Sequence, residues 1–327
     1  MILVTGSSGR VGRAVVAALR AKGRRVRGFD LRPSGVDGNE VIGSLEDAAK
    51  LVEAVHGVTD ILHLGAFMSW APADRDLMFS VNVEGTRRLL DAASAAGVRR
   101  FVFASSGEIY PENRPEFLPV TEDHPLKPNS PYGLNKLLGE EMVRFHQRTG
   151  SIETVVLRFS HTQDASELLD EDSFFSGPRF FLRPRIRQQE SFGNTAVADL
   201  LRSKDIGTPA HVLARNQNGR PFCMHITDTR DMVSGILLAL DHPDAAGGIF
   251  NLGGNEPTDF SELLPRMAAL TDLPVVAVDF PGDGVYYHTS NEQIRNTLGF
   301  EAEWTIDRML EEAAVARQRR LAGETRQ

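Results

Sequence analysis

Apolar and polar positions alternate between two periods along the first half of the chain. The chain opens with a short apolar run, glycines follow at 6, 9 and 12, and apolar Val11, Val15, Val16 and Leu19 then recur at helical spacing. This pattern predicts a strand, a tight turn and an amphipathic helix. The stretch RRVRGFD reads as a second strand, ending at Asp30. A helix is expected over 46–56 with Ser44 as its N-cap, then a buried strand in VTDILHLGA. A long helical stretch runs from about Asp74 to Ala96, followed by the strand RRFVFASS, a helix that contains Tyr132, and the strand ETVVLRFS. Strands separated by helical segments of this length form a parallel sheet covered on both faces. The expected fold class is therefore α/β with a doubly wound parallel sheet over residues 1–160. A smaller mixed α/β lobe is expected over 161–327, with segments such as 222–252 returning to the first part.

In such sheets the site lies beyond the carboxyl ends of the strands. Gly6, Asp30, Gly65, Ser105, Ser106, Arg158 and Ser160 all fall there. A strand, a glycine turn and a helix N-terminus make an anion site, because free backbone N–H groups and the helix dipole point at a phosphate. Asp30 follows Gly12 by 18 residues, close to the spacing at which dinucleotide-binding folds place an acid on the adenosine ribose. A carboxylate there repels a 2′-phosphate and favours NAD over NADP. Arg32 and Arg10 offer the opposite reading, as partners for that phosphate.

Composition narrows the class of protein. Of 327 residues, 41% are hydrophobic and 24% charged, ordinary for a globular chain. A net charge of −8 argues against nucleic acid or an anionic membrane as the main partner. The lone Cys223 forms no internal disulfide and lacks metal-ligand spacing. No apolar run reaches the ~18–20 residues of a membrane span. With the first strand beginning at Met1, a cytoplasmic protein without a bound metal is expected.

The segments TGSSGRVG, HLGA, NVEGT, SSGEIYP, YGLNK and LRFS occur in order and at suitable separations. Together they resemble the extended short-chain dehydrogenase/reductase family, in its NAD-dependent sugar epimerase/dehydratase branch. The resemblance is strong over residues 1 to about 160, moderate from 220 onward, and poor over 161–219. It implies a Rossmann sheet with a C-terminal substrate lobe. It implies that Tyr132 is the acid/base, Lys136 its partner, and Ser106, or alternatively Ser105, the hydroxyl that holds the substrate oxygen. A phenol of pKa ~10 is a poor base at neutral pH, so a nearby cation is needed, and Lys136 one helical turn on supplies it. The implied cofactor contacts are Gly6, Ser8, Gly9, Arg10, Val11, Gly12, Asp30, Leu31, Arg32, Leu45, Leu64, Gly65, Ala66, Asn82 and Lys136. A homodimer paired through the helices at 74–96 and around Tyr132 is also implied.

Departures from the family's pattern bear on the substrate. Its 4,6-dehydratases carry adjacent Asp and Glu after the strand-end hydroxyl, whereas this chain has Gly107 and Glu108. Glu108 is either a solvent-facing loop acid or a catalytic one, as in the family's decarboxylases. The arginine pair that clamps a diphosphate would correspond to Arg220 and position 280, but position 280 is phenylalanine; His161 stands where an asparagine is usual. In their place comes SFFSGPRFFLRPRIRQQESFGN, with Arg179, Arg183, Arg185 and Arg187 among aromatics. This segment is either a wall that binds an anionic group or an amphipathic surface. The acidic stretch before it reads as a solvated loop. Ser69, Trp70, Ser160, His161, Arg183, Arg185 and Arg220 are the candidate substrate contacts. The expected activity is epimerisation of a sugar or sugar nucleotide through transient oxidation. A net dehydrogenase of a free sugar, sugar acid or other secondary alcohol is the alternative, and a non-enzymatic nucleotide sensor the minor one.

Overall fold

The computed structural model describes residues 1–34, 39–69 and 71–323. Strands β1 (Ile2–Thr5), β2 (Val26–Asp30), β3 (Asn39–Ile42), β4 (Asp60–His63), β5 (Arg100–Ser106) and β6 (Glu153–Phe159) join the strand Ile249–Leu252 in one sheet. The order is Ile249–Leu252, β6, β5, β4, β1, β2, β3, and every pairing is parallel. The order reverses between β1 and β4, which places the mouth of a crevice at their carboxyl ends. The alternating strands and helices read from the sequence are present.

Helices cover both faces because each strand buries both. On one face, Val15, Val16 and Leu19 of α1 (Arg10–Ala21) pack with Met232, Ile236 and Leu240 of the helix Thr229–Asp241. On the other face lie Leu51 of α2 (Ala48–Val55), Leu89 and Leu90 from farther along the chain, and Val143. The cap of α2 differs from expectation. Asp47 accepts hydrogen bonds from the Ala49 and Lys50 N–H groups, while Ser44 Oγ accepts from the Glu46 N–H, before the helix begins. A carboxylate closer to the first turn gives better geometry and complements the dipole.

The long helical stretch at 74–96 is α3 (Arg75–Phe79), a π-turn over Ser80–Glu84 and α4 (Gly85–Ala95). The wide turn brings Asn82 inward. Its side chain accepts from the Phe67 N–H at 2.8 Å and donates to the Phe67 carbonyl at 2.7 Å. It thereby pins the loop after β4. Helix α5 (Pro131–Arg148) starts from Ser130, whose Oγ accepts from the Gly133 N–H at 2.9 Å.

The remaining chain builds a lobe over the crevice. Its strands His211–Arg215 and Val275–Asp279 pair in parallel. Helices α6 (Ser176–Phe180) and α7 (Leu182–Ser191) lie beside them, with Phe180, Phe181 and Leu182 fully buried. The acidic stretch is not a solvated loop. Asp164 and Glu167 pair with Arg10, and Arg320 reaches Asp170 and the carbonyls of Ser166 and Leu169. Among the described residues, no helix is long and apolar enough to cross a membrane, and no His, Cys, Asp and Glu cluster suits a metal ion.

Candidate active site

The glycine turn between β1 and α1 is built for close approach. Gly6 has φ +69°, open to glycine at little cost, and a Cβ there would lie 2.7 Å from the Gly65 Cα. A Cβ on Gly12 would stand 2.0 Å from the Gly6 carbonyl oxygen. The turn is thus sealed against side chains on both sides, and Gly6, Gly9, Val11, Gly12 and Leu64 line a cavity of about 330 Å³. Asp30, at the end of β2, accepts from the Ser8 N–H at 3.0 Å and the Arg32 N–H at 3.4 Å. This is a cradle for a dinucleotide with an acid at the ribose end, and the residues present fit NAD.

Of the two arginines that could pair with a 2′-phosphate, Arg10 is engaged elsewhere. Arg10 points into the lobe, where it pairs with Glu167 and Asp164 and lies 5.1 Å from the Phe175 ring centre. Arg32 and Leu31 are exposed, as is Ala66. Leu45 is buried beneath α4, where a Cβ on Gly85 would meet its own Cβ at 2.7 Å. Leu45 and Asn82 therefore shape the crevice through packing and loop position.

The same cavity is lined by Ser105, Ser106, Glu108, Tyr132 and Lys136. Lys136 Nζ donates to the Ala104 carbonyl at 2.6 Å and lies 5.6 Å from the centre of the Tyr132 ring. Burial lowers the Lys136 ammonium to about 8, against the pull of Glu140. Burial, and then the Glu108 charge, push the Tyr132 phenol above its ordinary range. A phenol so placed needs a cation before it can ionise, and Lys136 stands beside it.

The two strand-end serines have different partners. Ser105 Oγ donates to Glu140 at 2.5 Å, inside the core. Ser106 Oγ accepts from the Glu108 N–H at 3.1 Å and is partly open to the cavity. Of the two expected hydroxyls, Ser106 is the one free to meet a substrate. Ser105 belongs to a buried network in which Arg158 forks onto Glu140 at 2.9 and 3.1 Å and donates to Tyr110 Oη at 2.6 Å. Tyr110 in turn donates to Asn251 at 2.9 Å.

Glu108 is not a solvent-facing acid. It accepts from Ser130 Oγ at 2.5 Å, and burial raises its carboxyl pKa. Four residues on, Glu112 lines the same cavity, and burial together with the Glu108 charge pushes it up to about 8. The carboxylate absent at position 107 is thus matched by one from position 112. Nothing local in IYPEN signals this, because the chain turns there without helical or strand periodicity. His161 also faces the cavity, held neutral far below its ordinary range by burial and then by the Arg179 charge.

A second chamber of about 500 Å³ adjoins the first and shares Glu108, Glu112, Phe175, Arg179 and Met224 with it. Arg185 lines only this outer chamber. Several expected substrate contacts lie elsewhere. Arg183 pairs with Asp205 at 3.5 Å on the surface, and Arg220 donates to the Asp283 carbonyl while stacked on Tyr286. Ser69 donates to Asp74 at 2.6 Å, and Met68 lines the cavity instead. Ser160 lines it too, bonded to Thr227 at 2.6 Å, and Trp70 lies outside the described residues. His225 and Tyr287, from the C-terminal part, complete the wall and carried no sequence signal.

Comparison with known proteins agrees with this geometry. Residues 2–166 match the NAD dependent epimerase/dehydratase family. A solved short-chain dehydrogenase/reductase superfamily protein from Agrobacterium tumefaciens, with bound NAD, is 81% identical over 100% of both chains, with a TM-score of 0.98. A UDP-glucose 4-epimerase of Rhizobium leguminosarum bv. trifolii is 34% identical over 95% of both chains. Sterol demethylase protein B of Methylococcus capsulatus is 37% identical over 47% of this chain, which spans only 49% of that protein. The chain belongs to the NAD dependent epimerase/dehydratase family, and its cofactor is NAD.

Proposed function

We propose that the protein oxidises a secondary alcohol of a carbohydrate-like substrate and returns hydride to the transient ketone, as an epimerase. One observation carries this reading: Tyr132, Lys136 and Ser106 face a single cavity that opens onto the glycine turn. NAD, when bound, accepts and returns the hydride. Tyr132 takes the proton of the alcohol and later gives it back. Lys136 favours the phenolate through its charge, and Ser106 holds the substrate oxygen. Asp30 accepts from the ribose hydroxyls. Glu108 stands beside Tyr132 as a second proton-carrying group, its carboxyl pKa raised by burial. The resemblance to UDP-glucose 4-epimerase supports a sugar or sugar nucleotide as substrate.

A net dehydrogenase of a free sugar or sugar acid is the second reading. It is favoured by the commitment of Arg220 to Asp283 and Tyr286, and by Phe280 at the other clamp position. Denaturing the purified protein and quantifying released NAD, NADH and NADP separates the two. Near-stoichiometric NAD is expected for a recycling epimerase. A site that binds NAD reversibly and forms NADH with free sugars would replace that reading with the second. Exposed Leu77, Phe79, Leu134 and Phe145 on α3 and α5 support a homodimer, which light scattering of the purified protein tests.

A further inference from the structure

Two guanidinium groups in the substrate crevice make no ion pair among the described residues. Among the described residues, no carboxylate oxygen lies within ion-pair distance of Arg179 or Arg185. Arg179 Nη1 and Arg185 Nε are shielded from water and find no hydrogen-bond acceptor. Arg185 Nη1 donates to the backbone carbonyl of Arg179, at 3.3 Å. A buried donor without an acceptor carries the full cost of its desolvation, and a buried charge more so. Such a cost calls for a reason, and an anion bound beside the two guanidinia supplies one.

The placement is specific. α6 ends in Arg179 and Phe180, and the turn into α7 brings Arg185 onto the same chamber. The Arg185 guanidinium lies 4.3 Å from the centre of the Phe280 ring, which fixes its plane. Arg179 stands at the junction of the two chambers and Arg185 in the outer one. Phe175, Phe192 and Phe222 form the apolar part of the outer wall.

We propose that Arg179 and Arg185 together bind an anionic group of the substrate, a carboxylate or a phosphate, in the outer chamber while its alcohol reaches Tyr132. The inference rests on the catalytic reading above for the position of the reacting end. The acids that face Arg179 are Glu108 and Glu112. With Glu112 pushed up to about 8, the pair holds a proton near neutrality, so the two arginines leave the crevice with a positive excess. Arginine suits the role, since its fork matches two oxygens of a carboxylate or phosphate. Neutral sugars would leave both guanidinia unpaired.

The test is calorimetric titration of the NAD-loaded protein with four probes: glucuronate, glucose 6-phosphate, UDP-glucose and glucose. Binding of one or more anionic probes, with none of glucose, is expected. The strongest anionic probe should bind about ten- to hundredfold more weakly to Arg179→Met and to Arg185→Met. Arg179→Lys, which keeps the charge but loses the fork, should fall between. Which probe binds best distinguishes a sugar carboxylate from a phosphate or a nucleotide diphosphate. Retained NAD and an unchanged melting temperature show that a variant is folded. Equal response to glucose and the anionic probes, including no response to any, overturns the proposal, as does unaltered affinity in folded variants of both arginines. The readout is separate from turnover: anion binding that persists in Tyr132→Phe, alongside unchanged catalysis, would overturn the catalytic reading alone.

Discussion

The carbonyl oxygen of Glu108 lies where a side chain on Gly133 would begin, 2.3 Å from a Cβ built there. The first turn of α5, which carries Tyr132, therefore rests directly on the backbone of the loop that carries Glu108, two residues past Ser106 at the end of β5. Ser130 adds a second link, capping α5 through Gly133 and donating to Glu108. Tyr132 and Ser106 are held at a fixed separation by backbone contact rather than by long side chains.

Gly133→Ala should force these two backbones apart. A loss of about 1–3 kcal/mol in stability is expected. Turnover should fall further than the fraction unfolded explains, as denaturant titration and initial rates on the same samples will show.

Tyr132→Phe removes the hydroxyl and keeps the ring. Turnover should fall by about 10²–10⁴-fold while NAD content is unchanged. A near wild-type rate on the true substrate would remove Tyr132 from the proposed chemistry.

Glu112 predicts a pH dependence of stability. Its pKa is raised from 4.5 to about 8 on folding, so between these values the folded state binds more protons than the unfolded. Its contribution is complete below the unfolded pKa and is lost as pH rises through the folded one. Melting temperature should therefore decline less steeply between about pH 5 and 8 in Glu112→Gln than in the unaltered protein. Parallel curves for the two proteins would show that Glu112 ionises in the folded protein as it does in water.

Asp30→Ala should weaken NAD binding by about tenfold or more and erase the preference for NAD over NADP. Arg10 is committed to Glu167 and Asp164, so Arg10→Ala should leave that preference as it is. Titration of each variant with both nucleotides checks this.

Glu140→Ala strips the partner from a buried guanidinium. With side-chain exposures of 3% for Arg158 and 0% for Glu140, the pair has no water to fall back on. A loss of about 3–5 kcal/mol is expected, measurable by denaturant unfolding.

The sheet and the catalytic helix were legible because each rests on local periodicity. Val15, Val16 and Leu19 mark one helix face, and the runs at 60–63 and 100–106 are apolar enough to be buried strands. Tyr132 and Lys136 share a helix face by spacing alone. The substrate wall was less legible, because Glu112, His225 and Tyr287 reach it from turns and from distant segments with no period of their own. The arginine segment illustrates the limit. Its alternation left open both a wall and a solvated surface, and the segment divides between them: Arg183 went to Asp205 and the surface, while Arg179 and Arg185 went to the crevice. A lone acid's partner is equally hidden, as Glu167 reaching Arg10 across the chain shows.

Tyr132, Lys136 and Glu140 occupy successive turns of one face of α5, running from the crevice down to the buried Arg158. Reactivity and cohesion are consequently written into the same few residues. A survey of inactive variants of this protein would collect changes at Glu140, Arg158 and Ser105 alongside those at Tyr132. Activity alone would not tell the two groups apart, whereas a melting curve would.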